Sequence, residues 1–218
     1  MNNTTAKSSG TPGFNMTPEH KKLNLGCGFN KKNDHWNVDK FAGCNPDEVL
    51  DLEVFPWPWE DNFFTKIHAS NILEHLGQNP NTFTQVMKEL YRVSAPGAIW
   101  EIQVPHHRCD LYYDDYTHVR ALTEKTFKMF DQNVNIKSIE RGLSDSTFGL
   151  YHNIDIEVYK SNYNLVSYWT DLEKEGMLGS KELNIKLNTM SNVFESVDIF
   201  VKVHKPCRQE NWLKTNTK

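Results

Sequence analysis

The sequence predicts an α/β protein on a mostly parallel, doubly wound sheet, and three observations carry that reading. Short apolar runs alternate with amphipathic segments along most of the chain, the pattern of strands covered by helices. The first apolar run stops at a glycine turn, Gly26-Cys27-Gly28, and the second and third runs end in carboxylates, Asp39 and Asp51. Strand ends of an open parallel sheet converge on one crevice, where carboxylates can accept hydrogen bonds from ribose hydroxyls.

The elements follow in order. Strands are expected at 22–25, around Asn37-Val38-Asp39, at 48–52 and at 67–70, the last preceded by the turn-rich Trp57-Pro58-Trp59-Glu60-Asp61-Asn62. Asn79-Pro80 opens the clearest helix, because Phe83, Val86, Met87, Leu90, Tyr91 and Val93 recur at three- and four-residue spacing, and Pro96-Gly97 is expected to end it. A fifth strand spans 98–104, and Thr123 opens a helix that buries Phe127 and Phe130. Three later runs read as strands: Val134 with Ile136 and Ile139; Ile154, Ile156 and Val158; and Val197, Ile199, Val201 and Val203. The stretch 172–190 reads as helical.

The 218 residues are 38% hydrophobic and 24% charged, enough for one globular domain and too apolar for a disordered or fibrous chain. No apolar run approaches the roughly 18 residues of a membrane-spanning helix, so membrane insertion is not expected. A net charge of −4 gives no electrostatic case for nucleic acid and favours a small or neutral partner. Cys27, Cys44, Cys109 and Cys207 form no C-x-x-C pair and read as free thiols of a reducing cytoplasm. Residues 1–19 read as a disordered polar tail, 20–206 as the domain with an insertion at about 144–192, and 207–218 as a second tail. Trp212 and Leu213 are the docking points of that second tail. Lys202, Lys205 and Arg208 read as a solvated cluster.

The dinucleotide fingerprint fails, because Lys31 stands where its third glycine would be. Instead the ordered set Leu23-Asn24-Leu25-Gly26-Cys27-Gly28, Asn37-Val38-Asp39, Asp51-Leu52 and Ser70-Asn71-Ile72-Leu73-Glu74-His75 resembles the successive motifs of class I S-adenosylmethionine-dependent methyltransferases. Pro56-Trp57-Pro58-Trp59 and Pro96-Gly97 add to the resemblance, which covers roughly residues 20–142. It implies a Rossmann-like, seven-stranded sheet whose terminal strand is antiparallel, and S-adenosylmethionine as cofactor. It also implies that Gly26, Cys27 and Gly28 line the methionine part, that Asp39 binds the ribose hydroxyls, that Asp51 and Leu52 flank the adenine, and that Asn71 lies beside the sulfonium. Two departures stand out. Asn30 replaces a frequent third glycine, and only Phe29 to His35 separate the first two strands, as in a shortened type 11-like form. Such a loop is too short for the usual helix, and the N-terminal tail or a second subunit, as in a homodimer, would supply the missing cover.

After the fifth strand, residues 105–118 are dense in groups able to orient or deprotonate a methyl acceptor. His106, His107 and His118 are therefore the candidate acceptor-site residues. The Glu74-His75 pair reads as structural, and no metal is assigned. The expected activity is methyl transfer to a small-molecule, sugar or lipid-linked acceptor. Two alternatives are a non-catalytic cofactor-binding module on the same fold, and a metal-dependent enzyme in which His106, His107, Asp110 and His118 converge.

Overall fold

The computed structural model describes residues 21–216. The expected tail at 1–19 lies outside them, as does the side chain of Leu213. The strands are β1 (Lys22–Leu25), β2 (Trp36–Asp39), β3 (Glu48–Val49), β4 (Phe64–Ser70), β5 (Ser94–Pro105), β6 (Ile156–Leu165) and β7 (Phe194–Val203). They form one seven-stranded sheet in the order β3-β2-β1-β4-β5-β7-β6. The sheet is parallel throughout except for β7, the last strand in the chain, which runs antiparallel to both β5 and β6.

Alternation along each strand gives the sheet two chemically different faces. One row of paired residues runs Leu23, Ile67, Trp100, Val201, and the next Leu25, Ala69, Ile102, Ile199, every one essentially buried. Helix α1 (Pro80–Val93) packs Phe83, Val86, Met87, Leu90 and Val93 into this core, as the spacing predicts. Its N-cap Asn79 accepts a hydrogen bond from the Asn81 amide, and Pro80 occupies the first turn, where no amide is needed. The helix ends at Val93, earlier than Pro96-Gly97, because Ser94 already begins β5 opposite Phe64. The rows on the opposite face run Asn24, His68, Glu101, Phe200 and Ser70, Gln103, Asp198, joined by Ser70–Gln103 and Gln103–Asp198 hydrogen bonds of 2.9 Å.

Between β5 and β6 lie α2 (Asp110–Asp114), α3 (Glu124–Lys128), α4 (Gln132–Glu140) and α5 (Phe148–His152). Thr123 caps α3 as expected, in a capping box with Thr126. The run from Val134 to Ile139 is not a strand. It is α4, whose N-cap Asp131 accepts from the amides of Asn133 and Val134. The stretch expected as an insertion contains β6 itself, and the part beyond the sheet is α6 (Ser167–Lys174) and α7 (Ser180–Thr189).

The chain end is tied down rather than solvated. Arg208 reaches Asp155, fully buried, at 2.8 Å and Asp131 at 2.8 Å, and α8 (Glu210–Asn216) follows. Lys205 likewise donates to the carbonyls of Arg92 and Ser94. Among the described residues no helix is long and apolar enough to cross a membrane, and all four cysteines are free.

Candidate functional site

The crossover from β1 to β2, residues 26–35, contains no helix. A side-chain network holds it instead. The Asn37 carbonyl oxygen accepts from the Lys32 amide at 2.8 Å and from the Asn24 side chain at 2.9 Å, while its NH2 donates to Lys32 O, His35 O and Asp47. Lys31 is drawn away toward Asn45 O and Asp47. Gly26 and Gly28 both take positive φ, +58° and +48°. A side chain at Gly26 would strike Ile72 at 2.5 Å, so glycine is required there on two counts.

Three clefts meet at the C-terminal ends of β1, β2, β4 and β5. The first, of about 390 Å³, is lined by Gly26, Asp39, Asp51, Leu52, Asn71, Ile72, His75 and Thr117, among others. A second, of about 570 Å³, runs along the glycine turn past Gly26, Cys27, Gly28, Lys32, His68 and Asn71. The third, of about 420 Å³, is lined by Asn71, Glu74, His75, Gln103, Asp115, His118 and Ser196. Asn71, itself at φ +50°, borders all three. All seven residues that the sequence assigns to the cofactor line the first or second cleft. Asp39, on the wall of the first cleft, is held in place by the amides of Gly28 and Phe41, each at 2.8 Å and each on a different carboxylate oxygen, and each oxygen keeps a further lone pair.

The three candidate histidines do not converge. His118 borders the third cleft, whereas His106 and His107 are absent from its lining. His106 is buried beside His107, Tyr163 and Phe194, and burial, reinforced by His107 and Arg108, pushes its pKa down to about 4. Asp110 pairs with Asn192 rather than with a histidine. Two residues that the sequence reading treated as structural stand beside His118 instead. The rings of His75 and His118 are 4.6 Å apart, and Glu74 is fully buried with neither carboxylate oxygen hydrogen-bonded. Burial pushes the Glu74 carboxyl up to about 7, while burial and His118 hold His75 below its ordinary value. The link is made by backbone: Val119 N donates to Glu74 O at 2.9 Å, and the Arg120 side chain donates to Leu76 O. More than forty positions of separation hid this meeting, and the Glu74-His75 pair was its one local signal.

No protein-family model matches the chain, and no curated protein matches it in sequence. Solved structures do resemble it. A SAM-dependent methyltransferase from Archaeoglobus fulgidus matches with a TM-score of 0.51 at 15% identity, over 85% of this chain and 88% of that one. A SAM-dependent methyltransferase from Methanosarcina mazei matches with a TM-score of 0.49 at 11% identity, over 87% and 94%. At such identity the first of these likenesses speaks for a common fold.

Proposed function

We propose, starting from a class I methyltransferase fold, that this protein transfers a methyl group from S-adenosylmethionine to an acceptor held in the third cleft. The observation that carries the reading is the meeting of the three clefts at Asn71, with the two that adjoin along Gly26 forming one trough. The residues present fit the cofactor. Asp39 has acceptor capacity to spare for ribose hydroxyls, Leu52 and Ile72 offer apolar walls to a base, and the glycine turn leaves the backbone bare where the methionine part would lie. S-adenosylmethionine supplies, when bound, an electrophilic methyl group on a sulfonium.

The chain's own part is alignment, which in well-oriented systems contributes about 7–11 kcal/mol. Asn71 marks where the trough opens to the acceptor, and Glu74, His75 and His118 form the polar wall against which an acceptor hydroxyl or amine would lie. With a net charge of −4, a small molecule, sugar or lipid-linked acceptor suits the protein better than nucleic acid.

Calorimetric titration of S-adenosylmethionine and S-adenosylhomocysteine into wild type and Asp39→Ala tests the reading. Hydrogen bonds to a charged group are worth about 1.5–3 kcal/mol, so the variant is expected to bind about 10- to 150-fold more weakly. Equal affinity in the two proteins, or none in wild type, overturns the assignment. Binding without turnover on any acceptor would favour a cofactor-binding module.

A further inference from the structure

We propose that Glu74, His75 and His118 bind one divalent transition-metal ion of the zinc class at the wall of the third cleft. One donor atom from each residue lies within 4.8 Å of the other two. Glu74 is 0% exposed, and both of its oxygens lack a hydrogen-bond partner. A buried carboxylate in that condition is costly and is found paired or on a metal.

The two imidazoles are set up to match. His118 Nδ1 lies 2.6 Å from the carbonyl oxygen of Tyr112. A carbonyl can only accept, so Nδ1 carries the proton and Nε2 keeps a free lone pair. His75 Nδ1 lies 2.8 Å from Thr117 Oγ1, and that hydroxyl donates to Asp115 at 2.6 Å. Thr117 is therefore the acceptor toward His75, which fixes the same tautomer. Outer hydrogen bonds of this kind, to a carbonyl on one ring and through a hydroxyl to a carboxylate on the other, orient metal-binding imidazoles. Two imidazoles and one carboxylate suit zinc or iron, and three protein ligands leave coordination positions open to oxygen donors from the cleft.

The chain holds a second group with donor atoms in reach of one another: Cys27, Asp39 and Cys44. It is a poorer candidate. Burial pushes the Cys27 thiol up to about 11, away from the thiolate a metal requires, and Cys44 Sγ already donates to the carbonyl oxygen of Phe41 at 3.0 Å.

The site does not depend on the methyl-transfer reading, and the experiment separates the two. Full-length protein stripped with chelator is dialysed against Zn2+, and bound metal is measured by inductively coupled plasma mass spectrometry. The visible absorption of Co2+ provides a second readout. Wild type is expected to bind one equivalent. Glu74→Gln and His118→Ala are expected to weaken binding about 100-fold or more, since even outer partners of a metal site are worth about 10–100-fold. Cys44→Ser is expected to change nothing. Glu74→Gln keeps the volume and removes a buried charge, so it should fold. If either variant fails to melt cooperatively, the other and His75→Ala carry the test. No zinc on wild type, binding that survives both substitutions, or binding lost only in Cys44→Ser overturns the proposal. Zinc bound by a protein that takes up no S-adenosylmethionine leaves this site standing and removes the methyltransferase reading.

Discussion

Replacing Asn37 by Leu asks whether a side-chain network can do the work of the absent crossover helix. Asn37 is buried, and its amide makes contacts with five groups, two of which donate to it and three of which accept from it. An NH2 has two hydrogens for those three acceptors, so about four bonds count at once. At roughly 1 kcal/mol for each net bond, the loss is about 4 kcal/mol, offset slightly by the apolar gain of leucine. A net loss of about 3 kcal/mol is expected, which for a domain of this size lowers Tm by about 6–12 °C. The same loop carries Gly26, Cys27 and Gly28, so under the proposed function affinity for S-adenosylmethionine should fall with stability. Lys22→Ala, which removes the exposed 2.6 Å pair with Asp34, is the control and is expected to leave stability close to wild type. Urea unfolding followed by tryptophan fluorescence measures both. A loss under about 1 kcal/mol in Asn37→Leu, or equal losses in the two variants, refutes the reasoning.

Other consequences can be measured alongside. Arg208→Ala strips the partner from Asp155, 0% exposed, and from Asp131, 8% exposed. Breaking such a pair costs about 3–5 kcal/mol, and a calorimetric scan showing no fall in Tm would contradict the docked chain end. Cys27 is held up to about 11 by burial first and Cys44 next, above its ordinary 9.0. At pH 8 its thiolate fraction should be about 0.1%, against about 9% for a free thiol, so iodoacetamide labelling read by mass spectrometry should be slow in the folded protein. Since the folded value lies above the unfolded one, the stability that Cys27 contributes is present below about pH 9 and lost as pH rises through about 11. Cys27→Ala should flatten that part of the stability–pH curve, and an unchanged slope would count against the shift.

The walls of the first two clefts were legible because they are local. Each strand end announces itself within a few residues, by glycine at Gly26 and Gly28 and by carboxylate at Asp39 and Asp51, and parallel topology brings these ends together without further information. The short crossover was visible as a count of residues. The third cleft depended on a long-range meeting. His118 falls against Glu74 because residues 119–120 bond back to 74–76, and nothing in the local pattern separates it from His106, which turns into the core. The Val134–Ile139 run misled for a different reason. Apolar residues at 134 and 136 suit a strand as well as a helix over so few positions, and the deciding feature, Asp131 capping two amides, is a polar signal. Arg208 looked like a terminal charge because its carboxylate partners lie 53 and 77 positions away.

The place of β7 bears on how the chain is made. It sits between β5 and β6, so β6 has no strand partner until residues 194–203 exist. Asp155 and Asp131 likewise lack their arginine until residue 208 is added. A nascent chain leaving the ribosome can assemble the β1–β5 portion, but the sheet cannot close until β7 has emerged. Closure therefore waits on non-local contacts, the slow and aggregation-exposed kind. A ribosome-stalled chain ending before β7 should remain protease-sensitive at 156–165, and one extended past Arg208 with a linker should not.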